Sequence, residues 1–79
     1  MIPNPAKDFT SLLIHGFEKR PKEVTMLDLN GKLVFSIIID PKEFLLELDL
    51  DKLSVHRGVY LIRVSDKSKQ KTEQLVIER

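Results

Sequence analysis

Along the 79-residue chain, apolar positions gather in short runs, and none of these keeps the i, i+3, i+4 spacing of a helix. Clusters of Gly, Pro, Asn and Asp separate the runs. The pattern predicts six strands, at 9–15, 23–29, 32–39, 44–49, 59–65 and 72–77. Short strands at this spacing, with no helical stretch between them, predict an all-β, antiparallel sandwich.

Individual runs refine this expectation. In "FLLELDL", Phe44, Leu46, Leu48 and Leu50 alternate with Leu45, Glu47 and Asp49, which predicts a half-buried strand with one wet side. "GVYLIRV" is apolar at Tyr60, Ile62 and Val64 and again at Val59 and Leu61, which predicts a central strand. "SIIID" is also apolar on both faces, and Pro41, having no N–H to donate, ends its ladder. In "LDLNGKLV", Asn30 and Gly31 stand between two strand-like runs. Both residues adopt φ > 0 with little strain, so the second and third strands are expected to form a hairpin closed by a two-residue type I′ turn. "SDKSKQKT" reads as a polar loop before the last strand, with lysines that would blunt an edge. At the front, "IPNPAKDF" is stiffened by Pro3 and Pro5, and Pro5 pushes Asn4 toward extended conformations. That suits an entry turn spanning 2–8 at the border of a single domain, 1–79.

Composition narrows the function. A chain this short buries only about 60% of the surface its unfolded form exposes, so a deep enclosed active site is not expected. Hydrophobic residues make up 42% and charged residues 32%, values of a folding, water-exposed domain. Thirteen basic against 12 acidic residues, with no Trp, give neither the basic footprint nor the stacking platform that nucleic acid requires, so no nucleic-acid partner is expected. The absence of cysteine removes disulfides, thiolate catalysis and cysteine-ligated metal.

Four segments carry a family resemblance. "IPNPAKDF", "LDLNGKLV", "GVYLIRV" and the closing "EQLVIER", in that order across nearly the whole chain, resemble the C-terminal sorting domain of the type IX (Por) secretion system, type A. Two features depart from the family pattern. "LSVHRGVY" replaces a tight Leu-Pro-x-Gly turn with a longer connection through 54–57, and Ile2 stands where an aromatic residue often precedes the first proline. The resemblance implies an immunoglobulin-like β-sandwich of about six to seven short strands. It also implies a non-catalytic secretion signal, fused behind an N-terminal cargo protein. Its implied partners are the outer-membrane translocon, with its shuttle, and the sortase that processes cargo and attaches it to the surface. The implied route crosses the periplasm and ends at the outer membrane, the cell surface or the medium.

The residues that carry the resemblance, and so the candidate recognition residues, are Pro3, Asn4, Pro5, Asp28, Asn30, Gly31, Lys32, Gly58, Val59, Tyr60, Leu75, Val76, Ile77, Glu78 and Arg79. Asn30 and Gly31 are expected to hold a turn, and Tyr60 to lie in the core. Leu75 and Ile77 are expected to pack inward, while Glu78, Arg79 and the terminal carboxylate offer a charged anchor for β-augmentation. His15 and His56 are expected at the surface, with no third ligand near either. Glu47, Asp49 and Asp51 recur at period two, but they lack the glycine and bidentate glutamate of a calcium loop, so no metal and no cofactor are expected. No nucleophile stands beside a base, which argues against an enzyme. The alternatives are a passive immunoglobulin-like spacer or a ligand-binding or adhesion module of a surface protein. An edge strand could also pair two copies of the domain.

Overall fold

A computed structural model describes residues 9–53 and 55–78. Among them six strands form, β1 (Phe9–Leu13), β2 (Lys22–Asp28), β3 (Leu33–Ile39), β4 (Leu45–Asp49), β5 (Gly58–Ser65) and β6 (Gln70–Ile77), with no helix. Every pairing is antiparallel. β3-β2-β5-β6 make a four-stranded sheet and β1-β4 a two-stranded one. The expected strands all form, with ends shifted by no more than two residues.

The alternation of side chains explains why the sheets stack. Val24 and Met26 of β2, Ile62 and Val64 of β5, and Leu75 and Ile77 of β6 turn inward, where they meet Leu12 of β1 and Leu48 of β4. Ile14, Phe17, Leu50 and Val55 close the core from the connecting loops. Each such side chain removed from water contributes about 1.5–3 kcal/mol, the dominant favourable term in folding. β5 lies between β2 and β6, the central position that its two apolar faces predicted.

Two local expectations are corrected. The turn at Asn30-Gly31 is not type I′: Gly31 has φ of 84°, but Asn30 is not among the residues with positive φ. Gly31 N–H donates to the Asp28 carbonyl at 3.0 Å, and Asp28 N–H to the Lys32 carbonyl at 2.9 Å. Leu29 and Asn30 are therefore the central pair of the turn, and Gly31 is the left-handed residue that follows. Asp28 selects this arrangement, because its Oδ1 accepts from the N–H groups of Asn30 at 2.9 Å and Lys32 at 2.8 Å. Second, Phe44 lies outside β4 and is 56% exposed, because that strand begins only at Leu45. The two apolar faces of "SIIID" belong to the edge strand β3, and Ile38 stays 71% exposed.

The loop between β1 and β2 is anchored by a buried charge. Lys22 has 0% exposure, and its Nζ donates to the carbonyls of Phe17 at 3.2 Å and Pro41 at 3.1 Å. A buried ammonium needs such acceptors. The bond ties the β1–β2 loop to the β3–β4 loop.

Candidate functional site

Strand register brings the recognition motifs together. Asp28 of β2 pairs with Tyr60 of β5, and Tyr60 pairs with Leu75 of β6. Toward the strand ends, Val59 faces Val76 and Gly58 faces Ile77. "LDLNG", "GVY" and "LVI", distant in sequence, therefore form one end of the four-stranded sheet. Phe9, which pairs with Asp49, begins β1 where β4 runs into the 50–57 connection to β5. Short connections keep their two strand ends at the same pole, so the first and last described residues, Phe9 and Glu78, share this pole.

Its turns are held by side-chain acceptors. Beyond the Asp28 turn, the Asp49 Oδ1 accepts from the N–H groups of Asp51 at 3.1 Å and Lys52 at 3.2 Å. Asp51 therefore lies in the turn after β4 and not on the strand face shared by Glu47 and Asp49. Tyr60 is half-buried, and its hydroxyl donates to the His56 carbonyl at 2.9 Å, pinning the 50–57 connection onto β5. The longer "LSVHRGVY" connection is thus tied down by the tyrosine that follows it. Gly58 has φ of 154°, outside the range that side-chain-bearing residues favour, and Tyr60 lies beside it.

The candidate residues divide by exposure. Asn30, Gly31, Lys32 and Glu78 are exposed, while Asp28, Gly58, Val59, Tyr60 and Val76 are half-buried. Leu75 and Ile77 are core residues. Pro3, Asn4, Pro5 and Arg79 lie outside the described residues. His15 and His56 are exposed on different loops, and no group of three His, Asp or Glu among the described residues could hold a metal ion.

The opposite pole has a different character. Asp66, almost fully buried, accepts at one oxygen from the Ser68 hydroxyl at 2.7 Å and from the N–H groups of Ser68 at 2.9 Å and Lys69 at 3.0 Å. The Ser68 hydroxyl first, then the two N–H groups and the Lys69 charge, hold its carboxyl below the ordinary value of 3.8. The Gly16 N–H, first, holds Glu18 below its ordinary 4.5, with help from the charges of Lys69 and Lys22. Lys69 also sits over the Phe17 ring, 5.0 Å from its centroid. A cavity of about 440 Å³ opens here between Arg20, Pro21, Glu23, Ile38 and the 65–67 segment, but the Asp66 oxygen is engaged within its own turn.

Sequence reasoning missed Lys22, Asp66 and the capping role of Asp28. A signal for the two aspartates was present: Asp28 closes β2 and Asp66 directly follows β5, and each is followed two residues later by Asn or Ser, the spacing of a side-chain-capped turn. Nothing in the sequence marked Lys22 as buried.

Fold and surface together define a small all-β sandwich module whose motifs converge on one pole. The chain belongs to the family of secretion system C-terminal sorting domains, whose family model matches residues 1–78. It is a sorting signal of type IX secretion, carried by cargo proteins that the secretion machinery recognises and exports across the outer membrane to the cell surface or the medium. No curated protein matches it.

Proposed function

We propose that the motif pole, together with strand β6, is the surface the type IX outer-membrane translocon and its shuttle read while the cargo crosses the periplasm. The sortase then acts on the border with the cargo and leaves the cargo at the surface. The observation that carries this reading is the row Asp28, Tyr60 and Leu75, which sets three motif segments side by side. Recognition of a folded surface needs its elements in one place, and strand register supplies that placement. β6 is the end strand of its sheet and so can add a strand from a partner. Leu75 and Ile77 anchor it to the core, while Glu78 stays exposed beyond its end.

In this reading residues 1–79 act as one module. The 2–8 segment with Pro3, Asn4 and Pro5 is the border toward the cargo, and Arg79 belongs with Glu78 to the recognised segment. The domain binds and is read, and performs no catalysis of its own. Fusing residues 2–79 behind a fluorescent protein with an ordinary periplasmic export signal tests the proposal, in hosts with and without the type IX system. Fluorescence at the surface or in the medium only where the system is present is the expected result. Fluorescence retained in the periplasm of both hosts would leave a passive spacer.

A further inference from the structure

The turn between β2 and β3 sets an exposed side-chain amide beside an unshielded main-chain nitrogen. Asn30 and Gly31 are both exposed, and the Asn30 side-chain amide makes no hydrogen bond among the described residues. Gly31 has no side chain to screen its nitrogen, and a Cβ placed there would meet nothing within 4 Å. A main-chain nitrogen that loses its proton can close a five-membered ring on the side-chain carbonyl of the asparagine before it, one reason asparagine is thermolabile. Asn4 and Asn30 are the only asparagines of the chain, and Asn4 precedes Pro5, whose nitrogen carries no proton to lose. Ring closure is therefore confined to Asn30.

We propose that Asn30 is a site of spontaneous deamidation, and that the Asp28 turn holds the reaction in check while the domain is folded. The step needs no reagent but water. The Gly31 nitrogen gives its proton to hydroxide and bonds to Asn30 Cγ, and the side-chain nitrogen takes up a proton and leaves as ammonia. Water then opens the ring. Breaking the bond from the Gly31 nitrogen to Cγ yields aspartate, and breaking its bond to the Asn30 main-chain carbonyl carbon yields isoaspartate.

In the folded turn the attacking nitrogen is occupied. Gly31 N–H donates to the Asp28 carbonyl at 3.0 Å. The Asp28 Oδ1 holds the peptide from both sides, through the N–H groups of Asn30 at 2.9 Å and Lys32 at 2.8 Å. A clamped nitrogen that is donating its proton cannot swing onto Cγ, so ring closure waits for local opening of the turn. Either product puts a second carboxylate next to that of Asp28, and isoaspartate also lengthens the main chain within the turn. The neutral exposed position 30 of the motif pole thereby becomes negative. What this does to recognition rests on the reading proposed above, but the chemistry does not.

Mass spectrometry of the 79-residue chain incubated in mildly alkaline buffer, with and without urea, tests the proposal. The expected result is the small mass gain of replacing NH2 by OH, confined to the fragment containing Asn30 and present as aspartate and isoaspartate forms. It should appear at least about tenfold more slowly in the folded chain than in urea. Asp28→Ala removes both Oδ1 bonds and, under folding conditions, should speed conversion roughly fivefold to tenfold. Asp28→Asn keeps an oxygen acceptor and should stay near the parent rate, and all three chains should match in urea. Thermal melts establish that the variants are folded; should Asp28→Ala fail to fold, the parent with and without urea still decides. An Asn30 that stays intact in urea would overturn the site. Equal rates in the folded chain and in urea, or a folded Asp28→Ala no faster than the parent, would overturn the protection by the turn.

Discussion

Both poles of the sandwich cap their turns with aspartates, but they bury their charged groups to different depths. At one, charged side chains are drawn inward: Lys22 is buried against two carbonyls, and Asp66 gives one oxygen to three donors within its turn. At the other, Asp28 and Asp49 cap turns from their flanks, while Asn30, Lys32 and Glu78 point to water. Polar groups consumed by the fold are not available to a partner, whereas capped turns present a defined backbone with exposed side chains. The pole built on internal charges spends them on the fold, and the motif pole is the one proposed to be read.

The largest effect that separates the poles is expected at Lys22. Lys22→Ala leaves a void and two unpaired carbonyls, and should cost about 2–4 kcal/mol. For a domain of this size that lowers the melting temperature by roughly 10–25 °C in calorimetry. Lys22→Met keeps most of the volume but loses both bonds, so it should recover about half of the loss. Next comes the motif pole's own turn. Gly31→Val should cost about 1–2 kcal/mol in denaturant titration, entirely through its positive φ, since a Cβ there meets nothing within 4 Å. Gain of stability sharpens the contrast. Lys67, the one described non-glycine residue with positive φ, at 79°, sits in the opposite turn, so Lys67→Gly should stabilise by about 0.5–1 kcal/mol.

The smallest effect concerns pH. The carboxyls of Asp66 and Glu18 are held below their ordinary values in the fold, so the unfolded chain binds protons first as acid is added. Their contribution is complete above the ordinary values of 3.8 and 4.5 and is lost as pH falls through the lower folded values. Stability measured by thermal melts should therefore drop below about pH 4.5, and Asp66→Asn should flatten that drop.

Much of the architecture was legible because period-two alternation and turn residues are local signals. All six strands follow from it, and so does the central place of β5, whose two faces are both apolar. The same apolarity does not place β3, because an edge strand with exposed isoleucines looks like a central one when only its own residues are seen. The type I′ expectation failed for a related reason. Asn-Gly favours that turn in isolation, but Asp28, two residues earlier, accepts from Asn30 and Lys32 and shifts the turn back by one residue. Convergence of the motifs could not be read from the chain, since it depends on the register between β2, β5 and β6. Lys22 was hidden because its acceptors are backbone carbonyls 5 and 19 residues away.

The most direct test of the motif pole as the recognised surface compares export of the same fluorescent fusion carrying one change at each pole. Deleting residues 78–79 removes Glu78, exposed at the motif pole beyond the last strand, together with Arg79, and Lys67→Glu alters an exposed residue of the opposite turn. Thermal melts first establish that both variants are folded. The deletion is expected to hold the reporter in the periplasm, and Lys67→Glu to be exported like the parent. Equal export of both, or loss of export from the Lys67 variant alone, would contradict the assignment of recognition to the motif pole.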